Sequence, residues 1–103
     1  MGVFNFLFGN RKNQVQEYIN KGAIILDVRT LKEYNTEHIE GAIHITITEL
    51  KDRLEDVKTY NKPVIAYCRS GIRSAQAKQI LNSNGFDAIN GGGIAKLKAD
   101  LKH

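Results

Sequence analysis

Apolar residues recur along this chain in two ways, as short unbroken runs and as positions three or four apart. Ala23-Ile24-Ile25-Leu26-Asp27-Val28 is an unbroken run with one acid near its end, the pattern of a strand buried on both faces. Pro63-Val64-Ile65-Ala66-Tyr67 is another, with Pro63 at the first position, where a missing N–H does least harm. Gly41 to Ile45 and Phe86 to Ile89 predict shorter strands, and Val3 to Phe8 reads as a fifth at the sheet edge in preference to an apolar tail that contacts a partner or a membrane surface. Between these lie helical spacings. Val15, Tyr18 and Ile19 share a face, and Gly22 stops that helix. Thr30-Leu31-Lys32-Glu33 and Thr46-Ile47-Thr48-Glu49 have the form of capping boxes. The first opens a short helix with Leu31 and Tyr34, the second a helix turning Leu50, Leu54 and Val57 inward. Cys68 to Arg73 reads as a loop, and Ser74 to Asn84 as a helix stopped by Gly85. Ile94, Leu97 and Leu101 mark a last helix. Strand and helix alternate, which predicts an α/β fold with a mainly parallel sheet flanked by helices. Such sheets bind ligands beyond the carboxyl ends of their strands, and Cys68 stands at one of those ends.

Length and composition narrow the class. The 103 residues suit a single domain, with residues 1–10 as an apolar N-terminal segment. Hydrophobic residues make up 42% and charged ones 25%, which excludes wholesale disorder. The net charge of +4 is too mild to argue for a polyanionic partner, and no nucleic-acid-binding motif accompanies it. One cysteine excludes an internal disulfide scaffold. No apolar stretch approaches the ~20 residues of a membrane span. The apolar start lacks a basic leader and a small-residue cleavage site, so a cytoplasmic location is expected. His38 and His44 lack metal-ligand spacing, no second cysteine exists, and neither metal nor cofactor is implied. Gly91-Gly92-Gly93 lacks the Lys-Ser/Thr of a phosphate loop and reads as a plain turn.

The informative segment is Cys68-Arg69-Ser70-Gly71-Ile72-Arg73-Ser74. A buried strand delivers a thiol to the sheet's edge, and Gly71 permits a tight turn into a helix. Successive backbone N–H groups and the helix dipole can then gather around the sulfur. With the charges of Arg69 and Arg73, these stabilise the thiolate, the reactive form. The same cradle would hold an anionic group carried on that sulfur.

This loop resembles the active-site loop of rhodaneses. Ile25-Leu26-Asp27-Val28-Arg29-Thr30 with Glu33-Tyr34, followed by His38-Ile39-Glu40-Gly41-Ala42-Ile43-His44-Ile45, is similar to the N-terminal signature of that family. Both blocks stand in the right order over residues 13 to 102. The resemblance implies a three-layer fold with a five-stranded parallel sheet. It implies a sulfurtransferase in which Cys68 takes a sulfane sulfur from a donor such as thiosulfate and holds it as a persulfide. The sulfur then passes to cyanide in an assay, or to a thiol or protein in the cell. The backbone of Arg69, Ser70, Gly71, Ile72 and Arg73 would bind the persulfide. Asp27 would lie beside the loop and brace it, and Arg29 would pair with an acid, Glu33 and Glu37 being nearest in sequence. Arg69 and Arg73 are candidates to recruit the anionic donor, Arg73 equally to pair with an acid. The family's last helix often carries a tryptophan, and Leu97 and its neighbours replace it here.

Three other functions compete. A sulfur-relay carrier would share the chemistry but be loaded by another protein's persulfide. A phosphatase or arsenate reductase of related fold would need a longer cradle than the four residues between Cys68 and Arg73. A non-catalytic binding module would not need the cysteine.

Overall fold

The structure is a computed structural model that describes residues 11–102. The chain runs α1 (Arg11–Asn20), β1 (Ile24–Asp27), α2 (Leu31–Thr36), β2 (Ile43–His44), a 3₁₀ turn (Leu50–Arg53) and α3 (Leu54–Lys58). It continues through β3 (Val64–Cys68), α4 (Ile72–Ser83), β4 (Ala88–Gly93) and α5 (Ile94–Leu101). Among the described residues the sheet has four strands in the order β2-β1-β3-β4, all neighbours parallel. The expected fifth strand, Val3 to Phe8, lies outside the described residues.

This order puts the topological switch between β1 and β3. The chain leaves β1 toward β2 on one side, then crosses back to β3 on the other. A crevice opens at the carboxyl ends of the strands at such a point, where the connections diverge. Asp27 ends β1 and Cys68 ends β3, so both stand at its rim.

Strand alternation divides the core into two layers. Val64, Ala66 and Cys68 point to one face, where Leu26, Val28, Leu50, Val57, Ala77 and Leu81 complete a cluster with α3 and α4. Ile65 and Tyr67 point to the other, against Val15, Ile39, Ile89 and Leu97. β3 is buried throughout, which explains its unbroken apolar run. Leu97 is fully buried in the second cluster, so leucine fills the position in α5 without an aromatic ring.

Local signals held unevenly. Thr30 and Glu33 form the capping box expected of them: the Thr30 hydroxyl accepts from Glu33 N, and Glu33 Oε1 accepts from Thr30 N. Thr46 does not. Its hydroxyl donates to the Glu49 carboxylate at 3.0 Å, and a 3₁₀ turn with a short α3 replaces the single helix expected there. Leu50 and Val57 still turn inward and are buried. Gly91 to Gly93 are not a plain turn. They complete β4 after a register shift opposite Ala66 and Tyr67, and Gly93 leads directly into α5.

Candidate active site

Cys68 is the last residue of β3 and is 1% exposed. The loop after it is shorter than expected, because α4 begins at Ile72 and takes in Arg73. Gly71 makes the turn with φ +100, a left-handed conformation that strains any residue with a Cβ. It aims its own N–H at the sulfur, with N···Sγ at 3.0 Å. Two further donors come from the first turn of α4: Ser74 N and Ser74 Oγ, each 3.4 Å from Sγ. Burial pushes the Cys68 thiol up, but hydrogen bonds from Ser74 and from the backbone of Ser70 and Gly71 outweigh it. The thiol is held below its ordinary value. The positive end of the α4 dipole acts in the same direction.

The wall behind this cradle is the glycine run. A Cβ on Gly93 would stand 2.4 Å from Arg69 O, and one on Gly91 would stand 2.8 Å from Ile65 Cγ2. Side chains at these positions would drive β4 off the loop and off β3, so the glycines permit close approach of backbone to backbone. Asn90 joins this wall to the cradle. Its Oδ1 accepts from Ser74 Oγ at 2.7 Å and Gly92 N at 2.8 Å, and its Nδ2 donates to Gly71 O at 3.0 Å.

The two arginines of the segment separate. Arg73 makes a two-pronged ion pair with Glu33 of α2, at 2.8 and 3.0 Å, tying α4 to the helix after β1. The Arg73 guanidinium holds the Glu33 carboxyl down at about 2, well below the usual carboxylate range. Arg69 is exposed, and its side chain makes no hydrogen bond or ion pair among the described residues.

Asp27 and Arg29 do not reach the loop. Asp27 is paired in register with Tyr67, the residue before the cysteine, and therefore projects from the face opposite Cys68. The expected brace beside the loop is displaced by this one-residue alternation. Arg29 pairs with Asp27 itself rather than with Glu33 or Glu37. Nε and Nη2 reach its carboxylate at 2.9 and 2.6 Å, and Nη2 also donates to Glu37 O at 2.6 Å. Tyr67 Oη donates to Asp27 Oδ2 at 2.6 Å and accepts from Ile39 N at 3.0 Å. Burial pushes the Asp27 carboxyl up, and its bonds from Arg29 and Tyr67 carry it below its ordinary value. The network clamps the ends of β1 and β3 to each other from the far side.

Ser70 and Ile72 are exposed, and neither side chain bonds to the sulfur among the described residues. The residues that do complete the cradle, Ser74 and Asn90, were not among those read as site residues. Ser74 was legible as the seventh residue of the cysteine segment. Asn90 and the partner role of Glu33 carry no local signal. His38 and His44 each contact a backbone carbonyl, of Tyr34 and Arg29, and both rings stack on Tyr34.

A parallel sheet that presents one cysteine, at the switch point, to N–H donors entering a helix defines a cysteine-loop α/β domain. Residues 12–100 match the family of the rhodanese-like domain, and the chain belongs to that family. It is similar to the thiosulfate sulfurtransferase PspE of Escherichia coli (strain K12), 41% identical over 74 residues that cover 70% of this chain and 71% of that protein. It is 35% identical over 81 residues to a tRNA sulfurtransferase of Desulfurococcus amylolyticus, covering 78% of this chain but only 16% of that protein. Among solved structures, a rhodanese with anions from E. coli superposes with a TM-score of 0.66 at 38% identity, over 72% of this chain and 89% of that one. Among the described residues no helix is long and apolar enough to cross a membrane.

Proposed function

We propose that this chain is a sulfurtransferase that carries a sulfane sulfur on Cys68. The observation that carries the reading is the convergence of Gly71 N, Ser74 N and Ser74 Oγ on one buried sulfur. These donors favour the thiolate, and the thiolate is the nucleophile. With thiosulfate as donor, the Cys68 thiolate attacks the sulfane atom. A new S–S bond forms, the S–S bond of thiosulfate breaks, and sulfite leaves with its electron pair. The product is the Cys68 persulfide, whose outer sulfur carries the negative charge. A thiophilic acceptor then attacks that outer sulfur. Cyanide leaves as thiocyanate, and the Cys68 thiolate returns with the electron pair of the broken bond. Arg69, exposed beside the loop, is the cation available to draw in an anionic donor.

A second reading keeps the persulfide but loads it from another protein. What favours it is the exposure of Leu31 and Ile72, 58% and 72%, at the starts of the two helices joined by Glu33 and Arg73. Apolar side chains beside the mouth of the site suit a protein donor or acceptor better than an ion. The phosphatase-type reading has least support, since only residues 69–71 separate β3 from α4 and leave little backbone to surround a tetrahedral oxyanion.

Intact mass after incubation with thiosulfate tests the proposal. The wild-type chain gains one sulfur atom, cyanide removes it, and Cys68→Ser gains none. If thiosulfate adds nothing but a protein persulfide does, the relay reading replaces the first. If neither loads Cys68, the sulfurtransferase reading fails.

A further inference from the structure

Asn90 has no part in the chemistry above, yet it uses every polar atom of its side chain within reach of the nucleophile. Its orientation is determined by its partners. The atom facing Gly92 N must accept, so it is the oxygen, and the atom facing Gly71 O must donate, so it is the amide nitrogen. Ser74 Oγ therefore sits between two acceptors, Asn90 Oδ1 at 2.7 Å and Cys68 Sγ at 3.4 Å. It carries one proton. The two hydrogen bonds are alternatives, and a single rotation of the hydroxyl exchanges them.

Which one forms depends on the sulfur. A neutral thiol is a weak acceptor and can itself donate, so the Ser74 proton rests on the shorter bond to Asn90 and the S–H points at Ser74 Oγ. A thiolate is a charged acceptor with no proton to give, and it draws the Ser74 proton to itself. Asn90 Oδ1 then keeps only Gly92 N.

We propose that Asn90 is a positioning residue that competes with the Cys68 sulfur for the Ser74 proton, so that the hydroxyl turns to the sulfur only when that sulfur is charged. The proposal rests on reading Cys68 as the nucleophile. Its consequence is a moderated thiolate. Each thiolate that forms must break the bond between Ser74 and Asn90, so the hydroxyl stabilises the anion by less than its full strength. A thiolate held too firmly is a poorer nucleophile, because nucleophilicity falls with the pKa of the thiol. Asn90 keeps the sulfur charged enough to exist and reactive enough to attack.

The chain has one cysteine, so the ultraviolet absorbance of thiolate against pH reports Cys68 alone. Asn90→Leu removes the competing acceptor, and the Cys68 midpoint falls by roughly half a pH unit or more. Ser74→Ala removes the donor, and the midpoint rises. In the Ser74→Ala background Asn90→Leu moves the midpoint no further, because there is no proton left to contest. Gly71 O also accepts from Ala75 N at 3.1 Å, so the turn keeps a backbone anchor when Asn90 is lost. Asn90→Ala repeats the measurement with a smaller side chain if leucine prevents folding, and the same sign is expected. A midpoint that stays or rises in both Asn90 variants, or falls equally with and without the Ser74 hydroxyl, overturns the proposal. The titration needs no turnover, so its failure is distinct from a failure of thiosulfate to load the protein.

Discussion

Replacing Gly93 by alanine tests whether the glycine wall sets the reactivity of the cysteine. The added Cβ would stand 2.4 Å from Arg69 O, 3.2 Å from Arg69 C and 3.3 Å from Ser70 Cα. All three are backbone atoms, so no side chain can rotate away. The contact must open by roughly 0.6 Å to reach even 3.0 Å, the shortest separation that Cβ atoms tolerate. Gly93 itself has φ −81 and ψ 160, which alanine adopts without strain. The cost is therefore steric, and it falls on the loop. Moving Arg69 and Ser70 carries Gly71 with them and lengthens its 3.0 Å bond to Sγ beyond useful range. Overpacking of this kind destabilises by about 1–3 kcal/mol. Losing one hydrogen bond to a charged group takes about 1.5–3 kcal/mol from the thiolate and its persulfide. We expect kcat/KM for thiosulfate–cyanide transfer to drop roughly 10- to 100-fold. Gly85→Ala is the control: its φ is +88, nothing lies within 4 Å of a Cβ there, and it is remote from the sulfur. It lowers stability in urea by about 1 kcal/mol with the rate unchanged. Should Gly93→Ala keep the wild-type kcat/KM, the wall plays no part in shaping the cradle.

Asp27→Asn leaves the Arg29 guanidinium, 5% exposed, without its carboxylate. Breaking a buried pair in this way costs about 3–5 kcal/mol, read from denaturant unfolding, and a loss below about 1 kcal/mol refutes the clamp. The pair of Glu33 with Arg73 gives an acid-sensitive term. The Glu33 carboxyl is held at about 2 in the folded chain against an ordinary 4.5, so its stabilisation is full above 4.5 and is lost as pH falls toward 2. It amounts to about 1 kcal/mol, since both side chains are partly exposed. Glu33→Gln should lower stability by that amount at neutral pH and converge with the wild type near pH 2, and parallel curves across that range would exclude the pair as the cause.

Much of the fold is legible in the order of residues because strands and helices answer to their neighbours in the chain. An unbroken apolar run such as Val64 to Tyr67 has one stable place, a strand covered on both faces, and the next residue then lies at the sheet's edge. That placed Cys68. Gly71 signalled the turn because few residues adopt a positive φ, and Ser74 onward signalled the helix, whose start the structure moves forward to Ile72. Thr30 and Glu33 announced a helix start through a contact only three residues long.

The remaining features depend on which segments the sheet brings together. A strand buried on both sides carries no polar alternation, so nothing along Ile24 to Val28 says which face Asp27 takes. Its register with Tyr67, 40 residues away, decides that it faces away from the thiol. Glu33 and Arg73, also 40 apart, meet because β1 and β3 are neighbours and the segments after them leave the same end of the sheet. Three glycines in a row look like a turn until β4 pairs beside β3 and its bulge presses Gly93 onto Arg69. The chain alone thus determined a cysteine at the end of a buried parallel strand, because backbone conformation and burial are written locally. The partners of that cysteine's cradle, Asn90 above all, were decided by tertiary structure, because a hydrogen bond across a sheet depends on register and not on distance along the chain.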